Sequence, residues 1–334
     1  MKSISSIEEH NFKHNFTTLK VYHLTDGIKT EKPIVLTIGT FDGVHAGHRA
    51  VIRILEQKAN EIGGETALLT FHPHPRVVLH PHNHKLKLLN SQDEKIKLLG
   101  NTGLDHLIMA RFDKDLARLT PLEYVRGLLV EGIRPAEVVI GDDHRFGRNR
   151  EGSFDDLKEM GVMFGFGVTA LDAEKVSNVR VSSTKIRKAI YEGEVGYAGT
   201  LLSHLFPMSG RVVKGDQIGR TLGFPTANLQ LKDELKIVPA NGAYVVWAKI
   251  EDGDWMPGML NIGNRPTMNA SEDTIELHII GFEGDCYGKR IDVQFVDRLR
   301  EERRFLGHPE LKAALDHDKL KTLSILANMK PPQQ

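Results

Sequence analysis

Apolar and polar positions follow two different rhythms along this chain, and the change between them divides it. Up to about residue 200, short apolar runs alternate with stretches of helical spacing. Residues 33–38 form an unbroken apolar strand pattern, and 49–62 carry Val51, Ile52, Ile54, Leu55 and Ala59 at the repeat of an amphipathic helix. Gly63-Gly64 ends that helix and 66–71 form the next strand, a βαβ spacing that implies parallel pairing. The rhythm continues with a strand at 19–24, a helix at 91–99, a strand at 106–110, a helix at 121–130, a strand at 137–140, a helix at 154–160 and an apolar stretch at 162–171. Ser91 with Glu94, and Thr120 with Pro121 and Glu123, are helix-start patterns.

Near Ser203 the helical period fades. Short β-rich runs at 210–213, 242–250, 259–262, 274–280 and 291–296 are separated by Gly, Asn and Asp turns, which predicts a small barrel or sandwich. After Asp297 a helical pattern returns, with Leu311, Leu315, Leu320, Leu323 and Leu326 as the apolar set expected to cover one side of the barrel. The pattern therefore predicts an α/β domain with a parallel sheet over about 15–200. A small β-barrel or sandwich domain with a terminal helix follows over 205–330.

Composition narrows the function. A chain of 334 residues suits two domains, and 44 basic residues against 44 acidic ones leave no excess of positive charge with which to grip nucleic acid. The single cysteine, Cys286, rules out an internal disulfide framework and fits a reducing, cytoplasmic setting. Residues 1–23 are polar and no run approaches the roughly 20 apolar residues of a membrane span, so no membrane partner is expected. Oligomeric state leaves no mark in the pattern.

The chemistry concentrates in a few stretches. Gly39-Thr-Phe-Asp-Gly-Val-His-Ala-Gly-His48 lies between the first apolar run and the first helix. A strand that ends in a Gly-rich turn and opens a helix gathers backbone N–H groups and the positive helix end at one place, which suits phosphate. His45 and His48, three apart, share one face above it, while Gly39, Gly43 and Gly47 let the backbone turn and the phosphate approach. Phe41 and Asp42 complete the turn. No Gly-Lys-Ser/Thr follows, so this is not a Walker loop, and it is not a GxGxxG fingerprint. Five histidines lie between His72 and His84, but prolines at 73, 75 and 81 hold that segment extended and no cysteine or carboxylate joins them, so a zinc site is not expected.

Gly141-Asp-Asp-His-Arg-Phe-Gly147, with Asp143 and Arg145, follows a strand as a substrate loop would. Val181-Ser-Ser-Thr-Lys-Ile-Arg187 places Ser183 and Thr184 at a helix start, ordinary capping material when taken alone. Gly215-Asp-Gln-Ile-Gly-Arg-Thr-Leu-Gly-Phe-Pro-Thr-Ala-Asn228 reads equally as a Gly-rich turn before a strand or as a loop whose Thr226 and Asn228 hold magnesium over phosphates.

These stretches together resemble known signatures. Gly39 to His48 is similar to the HxGH element of the nucleotidyltransferase superfamily, and Val181 to Arg187 to its ISSTxIR element. The Pro-His-Pro at 73–75 and the loop at 141–147 resemble elements of bacterial flavin-adenylylating enzymes, with His144 where Phe is usual. Gly215 to Asn228 resembles the GxxxGRxLGFPTAN signature of riboflavin kinase. Asn261 to Thr267, Ile275 to His278 and Leu299 to Phe305 agree with that family as well, whereas Ser203-His-Leu-Phe departs from its usual junction.

The resemblance, from about Thr37 to Asp318, is to the bifunctional bacterial riboflavin kinase and FMN adenylyltransferase (FAD synthetase) family. It implies a Rossmann-like nucleotidyltransferase domain followed by a riboflavin kinase barrel, with Mg²⁺ and with ATP, riboflavin, FMN and FAD as substrates and products. The implied catalytic groups are His45, His48, Arg187 and Glu276, the last as base toward the flavin ribityl hydroxyl. The implied nucleotide contacts are Gly39, Phe41, Asp42, Gly47, Asp143, Ser183, Thr184, Gly215, Gly219, Arg220 and Gly223. Pro225, Arg300 and Glu302 would contact flavin, and Thr226 and Asn228 the metal. The rival readings are a nucleotidyltransferase for another acceptor with a flavin-binding barrel, and a non-enzymatic flavin-binding or nucleic-acid-binding protein.

Overall fold

The computed structural model describes residues 19–81, 86–171, 181–215, 219, 222–266 and 271–332. The chain forms two compact units that do not follow chain order. One lies within 1–39, 51–78 and 98–172, the other within 40–50, 79–97 and 173–334.

In the first unit, six strands among the described residues form one parallel sheet. They are β1 (Lys20–His23), β2 (Ile34–Ile38), β3 (Glu65–His72), β4 (His106–Arg111), β5 (Glu137–Ile140) and β6 (Gly167–Ala170), in the order β1-β4-β3-β2-β5-β6. Val35, Leu36, Leu68, Leu69, Leu107 and Val138 are fully buried, because a parallel sheet is covered on both faces. That is why its inner strands are continuous apolar runs rather than alternating ones. The strand order reverses between β2 and β5, a topological switch point, and the C-terminal ends of these two strands lead into Gly39 and Gly141.

The helix expected at 121–130 differs in kind. Thr120 and Glu123 form the expected capping box and Pro121–Tyr124 is α-helical, but Val125–Ile133 continues as a π-helix. Its buried Val125, Leu129 and Ile133 also satisfy an α-helical period, so apolar spacing alone cannot tell the wider turn apart.

In the second unit, β7 (Phe206–Val213), β8 (Ala227–Gln230), β9 (Gly242–Ile250), β10 (Trp255–Pro266), β11 (Ser271–Ile279) and β12 (Arg290–Glu301) close into an antiparallel barrel ordered β10-β11-β8-β7-β12-β9. Its core holds Phe206, Met208, Tyr244, Val246, Leu277 and Phe295. The helices Ser183–Tyr191 and Val195–Leu202 add Ile186, Ile190, Val195 and Leu202 to the same core. Hydropathy missed β8, whose four residues alternate too briefly inside a Gly-rich segment, and it missed the helix Val195–Leu202.

The terminal helix, His308–Leu326, buries Ala314, Asp318, Thr322 and Leu326, while Leu320 and Leu323 face solvent. Of the expected leucine stripe, Leu326 is buried and Leu311 and Leu315 are half-buried against the barrel, and only Leu320 and Leu323 are corrected. The helix packs along its i, i+4 row because it lies on a charged partner: Asp318 accepts from Arg300 Nε at 2.9 Å.

A buried ammonium ties this unit together. Lys236 Nζ donates to Glu94 Oε2 at 2.7 Å, Leu89 O at 2.7 Å and Pro207 O at 2.6 Å, which uses all three of its N–H bonds. It also sits 4.4 Å above the centre of the Phe206 ring. Both charged side chains are almost wholly buried. Burial lowers the lysine's proton affinity and the Glu94 carboxylate pulls it back. Replacing Lys236 by Met strands a buried carboxylate, so urea denaturation is expected to show a loss of about 3–5 kcal/mol, with much of it restored in Glu94→Gln/Lys236→Met. An unchanged Lys236→Met midpoint would show that the pair is dispensable.

Candidate active sites

The turn after β2 is built under strain. Phe41 and Val44 have positive φ, 47° and 41°, and both are buried. For a β-branched residue that conformation is unusual, and it persists only where neighbours enforce it. Here Gly43 N–H donates to Asn90 Oδ1, and Leu89 N–H donates to Asp42 Oδ1 at 2.9 Å.

The turn sets three rings in a column. Phe41 stacks on His48 at 4.4 Å, and His48 stacks on His45 at 3.6 Å with 13° between the planes. Gly47 makes this possible, since a Cβ there would sit 3.2 Å from two atoms of the His45 ring. His45 Nδ1 accepts from His48 N–H at 3.3 Å, so a neutral His45 carries its proton on Nε2, as a donor. Burial lowers His45 to about 4, helped by His204 and Arg187, and burial takes His48 well below its usual range. His48 Nδ1 is shut off from solvent, with no hydrogen-bond partner among the described residues. At neutral pH the pair is uncharged.

The two N-terminal signatures meet through Asp42 and Arg187. Arg187 Nη2 donates to Asp42 Oδ2 at 2.8 Å and its Nε to Lys87 O at 2.8 Å; Ser183 Oγ donates to Asp42 O at 3.1 Å. Burial raises the Asp42 carboxyl, while Arg187, Lys95 and the Leu89 amide pull it down. Lys95, a residue the sequence reading passed over, is buried and donates from Nζ to Thr40 O at 2.9 Å. Its signal was a lysine on the buried face of the helix Gln92–Gly100.

Other expected residues fall as follows. Gly39 N–H donates to Leu69 O at 3.0 Å, at the end of β2. Ser182, not Ser183, caps the helix Ser183–Tyr191, and Thr184 is exposed. Asp143 is exposed with its carboxylate folded over Gly141, and Arg145 is exposed too, donating to His144 O at 3.0 Å. His144 is half-buried beside the buried Phe146. Arg220 and Thr267 lie outside the described residues.

Among the described residues, Thr226 lines two cavities of the barrel. One, of about 660 Å³, is bordered by Val212, Pro225, Leu277, Phe282 and Tyr287. The other, of about 280 Å³, holds Gly219, Glu276, His278, Arg300, Glu302 and Asp318 against an apolar wall of Phe224, Met259, Phe305, Leu311 and Leu315. Pro225, grouped with Arg300 and Glu302 by the sequence, borders the larger cavity instead. Leu311 and Leu315, read as cover for the barrel, line the smaller one. Gly223 is exposed, with φ 84°.

Asn228 stands opposite Glu276 in the β8–β11 register, so their side chains are neighbours on one face. The face is the barrel's outer one, since Ala227, Leu229, Ile275 and Leu277 fill the core. Gly215 leaves its Cβ space to Asn228, whose side-chain amide lies 2.0 Å from where that atom would be. Asn241 Nδ2 donates to Glu302 Oε2 at 3.0 Å. Among the described residues no group of three or more His, Cys, Asp or Glu could hold a metal. The oxygens of Thr226 and Asn228, two apart in extended chain and both neutral, are donors that fit a hard cation shared with phosphates.

Two family models match in tandem, FAD synthetase over residues 27–185 and riboflavin kinase over 202–326. The bifunctional riboflavin kinase/FMN adenylyltransferase of Escherichia coli (strain K12) is 37% identical over 89% of this chain and 94% of its own length. The proteins of that name from Pseudomonas fluorescens and Listeria monocytogenes are 38% and 34% identical, over 85% and 93% of this chain and 90% and 99% of their own lengths. A crystal structure from Streptococcus pneumoniae, named as a macrolide-efflux protein, aligns with a TM-score of 0.79 at 30% identity, over 91% of this chain and 98% of that one. That name describes that protein; among the described residues of this chain no helix is long and apolar enough to cross a membrane. With both models matched in order and relatives of this similarity covering most of its length, the chain belongs to the bifunctional riboflavin kinase/FMN adenylyltransferase family.

Proposed function

We propose that this chain phosphorylates riboflavin with ATP to give FMN, and then adenylylates FMN with a second ATP to give FAD and pyrophosphate. The kinase reaction is assigned to 205–330 and the adenylyl transfer to 15–200. The observation that carries the kinase reading is the outer face of the barrel, where Glu276 adjoins Asn228 and Thr226 borders two cavities. Riboflavin fits the smaller cavity, whose apolar wall suits a flat ring system and whose carboxylates suit hydroxyl groups. ATP fits the larger one.

In this reading Glu276 takes the proton of the ribityl 5′-hydroxyl, whose oxygen forms the bond to the γ-phosphorus as the bond to ADP breaks. Thr226 and Asn228 would hold Mg²⁺, which supplies charge for the phosphate oxygens. Phosphoryl transfer asks mostly for positioned groups of this kind. In the adenylyl transfer, FMN phosphate attacks the α-phosphorus of ATP, and His45 Nε2–H and His48 donate to the oxygens on which charge gathers. Arg187, held by Asp42, braces the turn. The lone Cys286 and the balanced charge suit a cytoplasmic enzyme acting on small molecules alone.

Incubation with riboflavin, ATP and Mg²⁺, followed by chromatography, is expected to show FMN first and FAD later. His48→Ala should slow FAD formation by a factor on the order of 10²–10³ while FMN still accumulates. Glu276→Ala should abolish FMN formation yet adenylylate supplied FMN normally. Equal loss of both reactions in either variant would defeat the assignment to two sites.

The depressed histidines add a pH dependence. An anion beside them raises their proton affinity, so ATP binding should take up protons and tighten as pH falls below neutrality toward about 4, the value of the free His45. Calorimetric binding heats should then vary with the ionisation heat of the buffer, and His45→Gln/His48→Gln should remove that part of the variation. Buffer-independent heats in the parent chain would contradict it.

A further inference from the structure

Strand β11 places a second polar side chain on the barrel's outer face. His278, two residues beyond Glu276, is 8% exposed, lines the smaller cavity, and has no part in the reaction described above. Its surroundings explain why a histidine stands there. Among the described residues β8 and β11 are joined by two register pairs, Asn228 with Glu276 and Ala227 with Leu277. One step further Thr226 would face His278, but the ladder has ended, and Pro225 has no N–H with which to extend it.

The His278 ring takes over at that point. Its Nδ1 lies 2.9 Å from Pro225 O, and because a carbonyl only accepts, Nδ1 is the donor. The same ring meets Phe224 edge to face, with centroids 5.2 Å apart and 65° between planes. Phe224 and Pro225 are thus held by one side chain at the place where main-chain pairing gives out, immediately before Thr226, the residue common to both cavities.

We infer that His278 is a positioning residue for phosphoryl transfer: its Nδ1–H bond to the Pro225 carbonyl fixes the Thr226 hydroxyl between nucleotide and flavin. This rests on the kinase reading. A residue that merely filled space would be replaceable by any ring of similar size. A residue that acts through its donor is replaceable only by a group with N–H at the same place. Asn puts its amide nitrogen near the Nδ1 position, Gln puts one near Nε2, and Phe keeps the ring against Phe224 without a donor.

The test uses the full chain and measures riboflavin phosphorylation and FMN adenylylation on the same samples. His278→Phe and His278→Gln are expected to lose roughly 30- to 100-fold in kcat for phosphorylation, the scale of an ångström of misplacement, with KM for riboflavin within about threefold. His278→Asn should return to within about fivefold of the parent kcat. Adenylylation at the parent rate in every variant reports a folded chain. Parent-like phosphorylation by His278→Phe, or equal activity of His278→Asn and His278→Gln, would overturn the inference while leaving the kinase reading intact. A parent chain that makes no FMN from riboflavin would remove both.

Discussion

The ammonium of Lys236 is a buried charge paired with one carboxylate, and with its carbonyl and carboxylate partners it joins three separate parts of the chain. Leu89 and Glu94 flank the start of the helix Gln92–Gly100, Pro207 begins the barrel, and Lys236 follows β8. A charge taken out of water is tolerated only when every one of its donors is satisfied, so the geometry of all three segments is fixed at once. Leu88 and Ile237 then continue the match with main-chain bonds between the 86–90 and 235–237 segments. Leu89 N–H and Asn90 in turn hold Asp42 and Gly43. The strained backbone of the histidine turn is therefore braced by residues whose own places are set by one lysine.

That bracing explains how two imidazoles can be stacked and buried without a counter-ion. Both are neutral, so the arrangement has no like-charge repulsion until a proton arrives, and an anion is the natural occasion for one. The Asp42–Arg187 pair serves differently. It joins the two signatures through residues 145 apart and leaves the buried carboxylate and the guanidinium neutralising each other.

Much of this was legible because it is local. His45 and His48 are three apart, the capping boxes at Ser91 and Thr120 span one turn, and the buried strands of the parallel sheet are unbroken apolar runs. The rest depends on pairs far apart in sequence. Nothing near Glu94 announces a partner 142 residues away, beyond the oddity of charged residues on the buried face of a helix. Asn228 beside Glu276 required the strand register, and β8 is too short for its alternation to show. Leu320 and Leu323 of the terminal helix misled because hydropathy ignores charge pairing. Asp318 is buried against Arg300, and that contact turns the helix by one row. His278 stood in plain view within a recognised motif, but only geometry reveals what its ring replaces.

The seam between β8 and β11, closed by two register pairs and one imidazole, is a short join in an otherwise well-paired barrel. Cavities bordered by Thr226 lie at this join. A ligand that filled one of them and bound only the closed barrel would add its binding free energy to the seam. Without a ligand the join rests on its two register pairs, the His278 bond and the core packing of Ala227, Leu229 and Leu277, so the durability of the barrel would report how much ligand surrounds it.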